Sequence, residues 1–393
     1  MKKSVNLLAA AFVITGLSLN VFATNGDNLI GVGPASRAMG GTGMAAPQDA
    51  ISAIFSNPAT LSQIQGSQFN FAGTFFAPEV KANVVSGMMG NWSGKSQDEG
   101  YAIPAIGLAT PAGDNMTFGI AAYGVSGMGV DYRDMDINND MNTKVSVMKF
   151  VPAFAYKNGA FSYGAGLDID YQAADFGSGL SHNYAVGLRL GAAYEYEKWA
   201  FGLTYVTPQN VEHKRVYDFD GNGVFDTLKL ENPAQYGAGA AYKGLDGWVL
   251  SADVKYLDWA NADGYSDFDW EGQTVFGLGV QNKTTDNLTL RAGWNYGKNP
   301  VKIHNNFNPM GNTDIQGTSM NNMGYEYFRV IGFPGVSEHH LTLGAGYEFS
   351  SKFALNLGYK KAFAKTIKET SSDGTIKSEL SETAYDMGLT FKF

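Results

Sequence analysis

Asp218, Asp220, Asn222, Gly223 and Asp226 occupy the first, third, fifth, sixth and ninth places of a calcium-loop pattern. Alternating carboxylate and amide oxygens around a glycine turn can wrap a hard cation. The twelfth place, where a bidentate Glu is expected, holds Lys229. The four oxygen-bearing residues therefore read either as a weak Ca²⁺ site or as a plain Asp/Asn/Gly turn. Catalysis has less to stand on. The histidines are His182, His213, His304, His339 and His340, and the adjacency of Ser181 and His182 does not by itself activate a nucleophile. Cysteine is absent, which removes disulfides, thiol chemistry and Cys-based metal sites. A formal net charge of −9 argues against a nucleic-acid partner. No enzyme activity is expected, and no cofactor beyond that cation.

The elements that would carry these residues show a two-residue period. Phe161, Tyr163, Ala165, Leu167, Ile169 and Tyr171 alternate with Ser162, Gly164, Gly166, Asp168 and Asp170. Such alternation puts one greasy and one wet face on an extended strand. Strands are predicted at 68–77, 101–110, 115–125, 144–156, 160–171, 182–195, 198–207, 234–243, 247–258, 273–282, 286–297, 338–349, 352–364 and 382–393. The second carries Pro104 and is the least regular. From the first strand on, long connections (78–100, 126–143, 172–181, 208–233, 259–272, 298–337, 365–381) alternate with short turns. Short turns on one side and long loops on the other mark a bacterial outer-membrane barrel. The last strand ends on Phe393, which resembles the signal read by the barrel assembly machinery.

The amino terminus agrees. Met1-Lys2-Lys3 precedes an apolar stretch from Leu7 to Leu19, then Val21-Phe22-Ala23. This reads as a signal peptide over 1–23, cleaved after Ala23, and it is too short to span a bilayer. With aromatics at 13% and 49 glycines in 393 residues, export leads to an all-β, 14-stranded antiparallel transmembrane β-barrel over 67–393. The expected setting is the outer membrane of a Gram-negative bacterium, with membrane lipid around the wall. Residues 24–66 lack the period, are rich in Gly, Ala and Ser, and place Ile51, Ile54, Phe55, Leu61 and Ile64 among them. They are expected to form an N-terminal hatch inside the lumen.

Gly33-Pro34-Ala35-Ser36-Arg37-Ala38-Met39-Gly40-Gly41-Thr42-Gly43, then Asp49-Ala50, then Asn57-Pro58-Ala59, resemble the hatch of the FadL/TodX family. Asp253 to Trp259, and Phe333-Pro334-Gly335-Val336 leading to His340 and Gly344, also resemble it. The family transports long-chain fatty acids and hydrocarbons passively. The resemblance implies capture by an external loop groove, transfer to an apolar pocket above the hatch, and sideways exit at a kink in the third strand. Gly124 and Gly127 would either support that kink or merely begin the external loop, and Asn57, Pro58 and Ala59 would sit near the exit. The resemblance also suggests a monomer. Thr24-Asn25-Gly26 offers no aromatic to fill the pocket, which looks more like the hydrocarbon-uptake branch.

A fatty acid would need a cation for its carboxylate, and alternation turns Arg189, Arg291 and Lys255 to the lumen. Loop 298–337 supplies Phe307, Met320, Met323, Phe328 and Phe333 as apolar substrate contacts or as packing over the barrel mouth. Other readings of a barrel frame are a surface adhesin or phage receptor, or an outer-membrane hydrolase.

Overall fold

The computed structural model describes residues 24–133, 135 and 141–393. The predicted signal peptide, 1–23, lies outside them. Among the described residues fourteen strands build the wall: β1 (Gln68–Ser86), β2 (Tyr101–Pro111), β3 (Met116–Asp131), β4 (Asn142–Asn158), β5 (Phe161–Asp175), β6 (Ser181–Tyr196), β7 (Trp199–Val206), β8 (Gln235–Tyr242), β9 (Trp248–Leu257), β10 (Gln273–Lys283), β11 (Leu288–Gly297), β12 (His339–Ser350), β13 (Phe353–Ser371) and β14 (Gly374–Lys392). All fourteen expected strands are present. Each pairs antiparallel with its chain neighbour, and β14 returns to β1 from Phe391↔Phe69 to Gly374↔Ser86. Closure leaves no free sheet edge to hydrocarbon.

The alternation sorts side chains as the sequence requires. Phe71, Phe75, Phe118, Phe150, Phe154 and Leu203 point outward and are well exposed, whereas Lys149, Asp168, Asp170 and Arg189 point inward and are buried. A continuous apolar belt of this kind belongs against lipid.

The predicted long loop 365–381 is instead strand. β13 and β14 run on and turn at Ser372 and Asp373. Here the pattern inverts: Ile367, Ile376 and Leu380 are buried inside, and Lys368 and Glu379 face out. β1 does the same, with Val80, Ala82 and Val84 inside and Lys81 and Asn83 outside. Above the membrane the outer face meets water, so the greasy face turns inward. Loop 208–233 likewise holds its own hairpin, 209–217 with 226–232. Loop 298–337 holds a small hairpin and a helix, α3 (Asn322–Tyr327).

Residues 24–66 fill the lumen. α1 (Pro34–Ala38) has proline in its first turn. α2 (Ala50–Ser56) begins at a capping box, with Ser52 N donating to Asp49 Oδ1 at 2.8 Å and Asp49 N donating to Ser52 Oγ at 2.9 Å. A 3₁₀ turn, Pro58–Gln63, follows. Arg37 Nη1 donates to Asp386 Oδ1 on β14 at 2.5 Å and to Thr74 Oγ1 on β1 at 2.7 Å. Gly43 N and Met44 N donate to Asp253 Oδ2 on β9 at 2.9 and 3.1 Å. Gly40 N donates to Thr342 Oγ1 on β12 at 3.1 Å. The hatch also lies directly on the wall main chain. A Cβ on Gly293 would stand 2.0 Å from Gly40 N, and one on Gly202 would stand 1.9 Å from Met44 O. Where hatch and wall touch backbone to backbone there is no room for a straight channel.

Candidate functional site

The wall opens at β3. Up to Tyr123 the odd-numbered residues face the lumen, with Ala121 and Tyr123 buried and Phe118 and Ile120 outward. Gly124 then pairs with Met148, and Ser126 pairs with Val147, so Val125 is an extra residue in β3 against β4. A bulge flips the facing, so that Ser126 and Val130 are buried while Gly127 is exposed. β2 does not follow the bend. Its last pair with β3 is Ala105↔Tyr123, while Tyr101 to Pro104 keep only their register with β1. Proline has no N–H to offer a neighbour, so Pro104 suits the first unpaired position.

The hatch takes the freed edge of β3. Asn25 to Asn28 form a tight hairpin through Asn25 N to Asn28 O at 3.0 Å and Asn28 N to Asn25 O at 3.2 Å. Leu29 N then donates to Val125 O at 2.8 Å, and Gly127 N donates to Asp27 O at 3.2 Å. A cavity of about 200 Å³ spans the opening, lined by Leu29, Phe76, Ile103, Pro104, Gly127 and Met148 among others, with no charged side chain in its wall. A second pocket of about 30 Å³ shares Phe76, Tyr101 and Gly127 with it and reaches inward to Thr24, Gly335 and Glu382. At the external face a groove of about 340 Å³ is bounded by Met89, Met141, Phe176, Tyr217, Phe225 and Tyr327.

Gly124 and Gly127 both line the wall opening. Asn57, Pro58 and Ala59 do not come near it; they pack on β5 to β7. Asn57 Nδ2 donates to Ala192 O at 3.0 Å and to Met44 O at 2.8 Å, and its Oδ1 accepts from Ala59 N at 3.1 Å. Gly164, Gly191 and Gly202 make room for them. The motif caps a turn and fixes the hatch to β5, β6 and β7.

The proposed aromatic and sulfur contacts lie beneath the external groove rather than in its lining. Met320, Met323, Phe328 and Phe333 are buried, and Phe307 packs at their edge. The rings of Phe328 and Phe333 sit 5.2 Å apart, and Phe176 lies 5.6 and 5.2 Å from them. These side chains form the packed floor of the loop region.

The lumen cations are mostly engaged. Arg189 Nη2 meets Asp168 at 2.9 Å, Nη1 donates to Phe55 O, and Lys149 bridges Asp168 and Asp170 at 3.1 and 3.0 Å. Arg291 donates to Gln281 at 2.7 Å and Asn356 at 3.0 Å. Lys255 Nζ lies 5.7 Å over the Phe55 ring, and no carboxylate among the described residues comes within 4.0 Å of it. Lys255 and Arg189 share a very small cavity with Phe55 and Met44.

In the acidic loop, carboxylate oxygens of Asp218, Asp220 and Asp226 lie within 4.8 Å of one another. They already accept main-chain donors: Gly223 N to Asp218 at 2.8 Å, Asn222 N to Asp220 at 3.1 Å and Phe219 N to Asp226 at 2.9 Å. Asn222 Nδ2 donates to Asp220 at 2.9 Å, turning its carbonyl toward Val224 N at 2.8 Å.

Sequence reasoning missed the 24–29 hairpin and its partner, Tyr265. Asn25-Gly26-Asp27-Asn28 is a tight-turn pattern, which was the available signal. Pro104 was the other: a proline in an otherwise regular strand marks a position without a lateral partner.

The sequence matches, over residues 20–183, the family described as outer membrane protein transport protein (OMPP1/FadL/TodX). The fold is similar to that of the toluene transporter TodX of Pseudomonas putida, at 20% identity and a TM-score of 0.69 over 94% of this chain and 100% of that one. It is similar to a FadL homologue of Pseudomonas aeruginosa, at 16% identity and a TM-score of 0.72 over 95% and 100%. It is also similar to the toluene transporter TbuX of Ralstonia pickettii, at 18% identity and a TM-score of 0.64 over 93% and 99%. Among curated proteins none matches. The matched segment carries the hatch and the bulged third strand of a closed fourteen-stranded wall, and over those residues the sequence is similar to the FadL/TodX family of outer membrane transport proteins.

Proposed function

We propose that this channel admits hydrophobic small molecules through its external groove and releases them sideways through the opening between β2 and β3. The observation that carries this reading is the end of β2–β3 pairing at Ala105↔Tyr123, with a cavity of about 200 Å³ beside it. A greasy molecule gains on the order of 25 cal/mol for each Å² it keeps from water, so a dry pocket draws it where a wet pore would not. The hatch seats on wall backbone and leaves no straight path to the far side. The sideways path leads into hydrocarbon.

The substrate class follows from the lining. With no charge at the opening and Arg189 bound to Asp168, an uncharged hydrocarbon suits the path better than a long-chain fatty acid. Its likeness to two toluene transporters supports an aromatic one. If fatty acids are carried, Lys255 is the cation to meet the carboxylate. Phe393, three-quarters exposed at the end of β14, is assigned to the assembly machinery, and the working unit to a monomer.

The test is uptake of labelled toluene and labelled oleate by cells with wild-type protein, with none, and with Val125 deleted. Deletion removes the extra residue of β3 against β4, so that β3 can run straight on along β2. Loss of uptake with normal surface levels supports lateral release; undiminished uptake rejects it.

A further inference from the structure

We propose that Asp27 and Tyr265 form a latch that holds the hatch hairpin in the wall opening and sets how often it opens. This rests on the lateral path above. Asp27 sits at the hairpin tip and is 2% exposed. Its backbone oxygen accepts from Gly127 N on β3. Its Oδ2 accepts the Tyr265 hydroxyl, and its Oδ1 has no hydrogen-bond partner among the described residues. Tyr265 belongs to loop 258–272, where its ring lies 4.6 Å from Trp259 and 4.9 Å from Trp270. Those two indoles close on Gly26 so tightly that a Cβ there would stand 3.0 and 2.8 Å from them. One aromatic block thus grips the hairpin by shape, and the Asp27–Tyr265 hydrogen bond is its polar contact. The two are positioning residues: they act through the hairpin and need not touch substrate.

Burial pushes the Asp27 carboxyl up to about 6, and Tyr265 is held protonated by the same burial. Lys360 and Glu382, the charged pair at Thr24, meet each other at 3.0 Å; β3 presents the uncharged Ser126. A carboxyl raised in the docked state favours docking most strongly below its ordinary value of 3.8, and that advantage fades as pH rises through about 6. Linkage gives about a tenfold rise in hairpin opening from pH 5 to pH 8.

The test is hydrogen–deuterium exchange of segments 24–30 and 123–129 in the processed protein in nanodiscs, corrected for intrinsic rates, alongside toluene uptake. Wild type should open about tenfold more at pH 8 than at pH 5. Asp27→Asn should remove that dependence and hold the hairpin more tightly at pH 8. Tyr265→Phe should keep the dependence and raise opening at both values. An Asp27→Asn profile parallel to wild type, or a flat wild-type profile, overturns the latch. If exchange behaves as stated while no variant takes up hydrocarbon, the latch stands and the transport reading fails.

Discussion

Asn28 of the hatch and Ser126 of β3 face each other as an antiparallel bridge, just past the point where β2 releases β3. The hatch thus repairs, with its own backbone, the pairing that the bulge removes. It is also the one stretch of hatch that must leave if the opening is to be used.

That pair can be locked. Bridge partners lie about 5 Å apart at Cα, within disulfide reach, and the chain has no cysteine to interfere. The double variant Asn28→Cys/Ser126→Cys should stop toluene uptake when oxidised and regain it on reduction. Full uptake by the oxidised protein would place the exit elsewhere.

Arg37 and Asp386 anchor the hatch at the seam between β14 and β1, both buried and 2.5 Å apart. Removing one partner of such a pair costs roughly 3–5 kcal/mol. Arg37→Ala should leave the barrel folded but loosen the hatch, read as raised ion conductance in planar bilayers. Deletion of 24–66 should give the full open pore. Wild-type conductance in Arg37→Ala would mean the remaining anchors suffice.

Glycine substitutions should separate wall from turn. Gly293→Leu forces a side chain into Gly40 N, and the hatch cannot seat, so ion conductance should rise toward that of the hatch deletion while unheated protein still runs as a folded band in SDS gels. Gly113 turns at φ +84° with nothing near a Cβ, and Gly113→Ala should cost only about 1–2 kcal/mol with normal yield.

The Asp218 to Asp226 turn should bind Ca²⁺ weakly, with Kd on the order of 10⁻⁴–10⁻³ M as in extracellular sites. Its carboxylates converge, but main-chain donors already use them and Lys229 stands where a bidentate ligand is expected. Calorimetry should show heat for wild type that Asp220→Ala abolishes. No heat in either protein leaves a plain turn.

The barrel was legible because alternation in β5, β11 and β12 reports only which face meets lipid. It failed where that rule changes sign. Around Ile367 and Lys368 the outer face meets water, the pattern inverts, and a strand reads as loop. At Val125 the bulge shifts the parity, so β3 seemed to end six residues early. Asn57 caps its turn as an Asn before a Pro can, but which wall it meets depends on how the hatch threads the lumen, and local spacing is silent on that. Phe328 and Phe333 read as packing over the mouth or as lining, since composition does not tell a floor from a surface. The Asp27–Tyr265 contact joins residues far apart in sequence, and one sequence carries no trace of it.

Arg37 is made near the start of synthesis and Asp386 near its close. Their bond cannot exist until the final strand has arrived and zipped to the first. This fastening of the stopper therefore waits for the last piece of wall to be laid, and a chain caught half-inserted, or shortened before Asp386, lacks it.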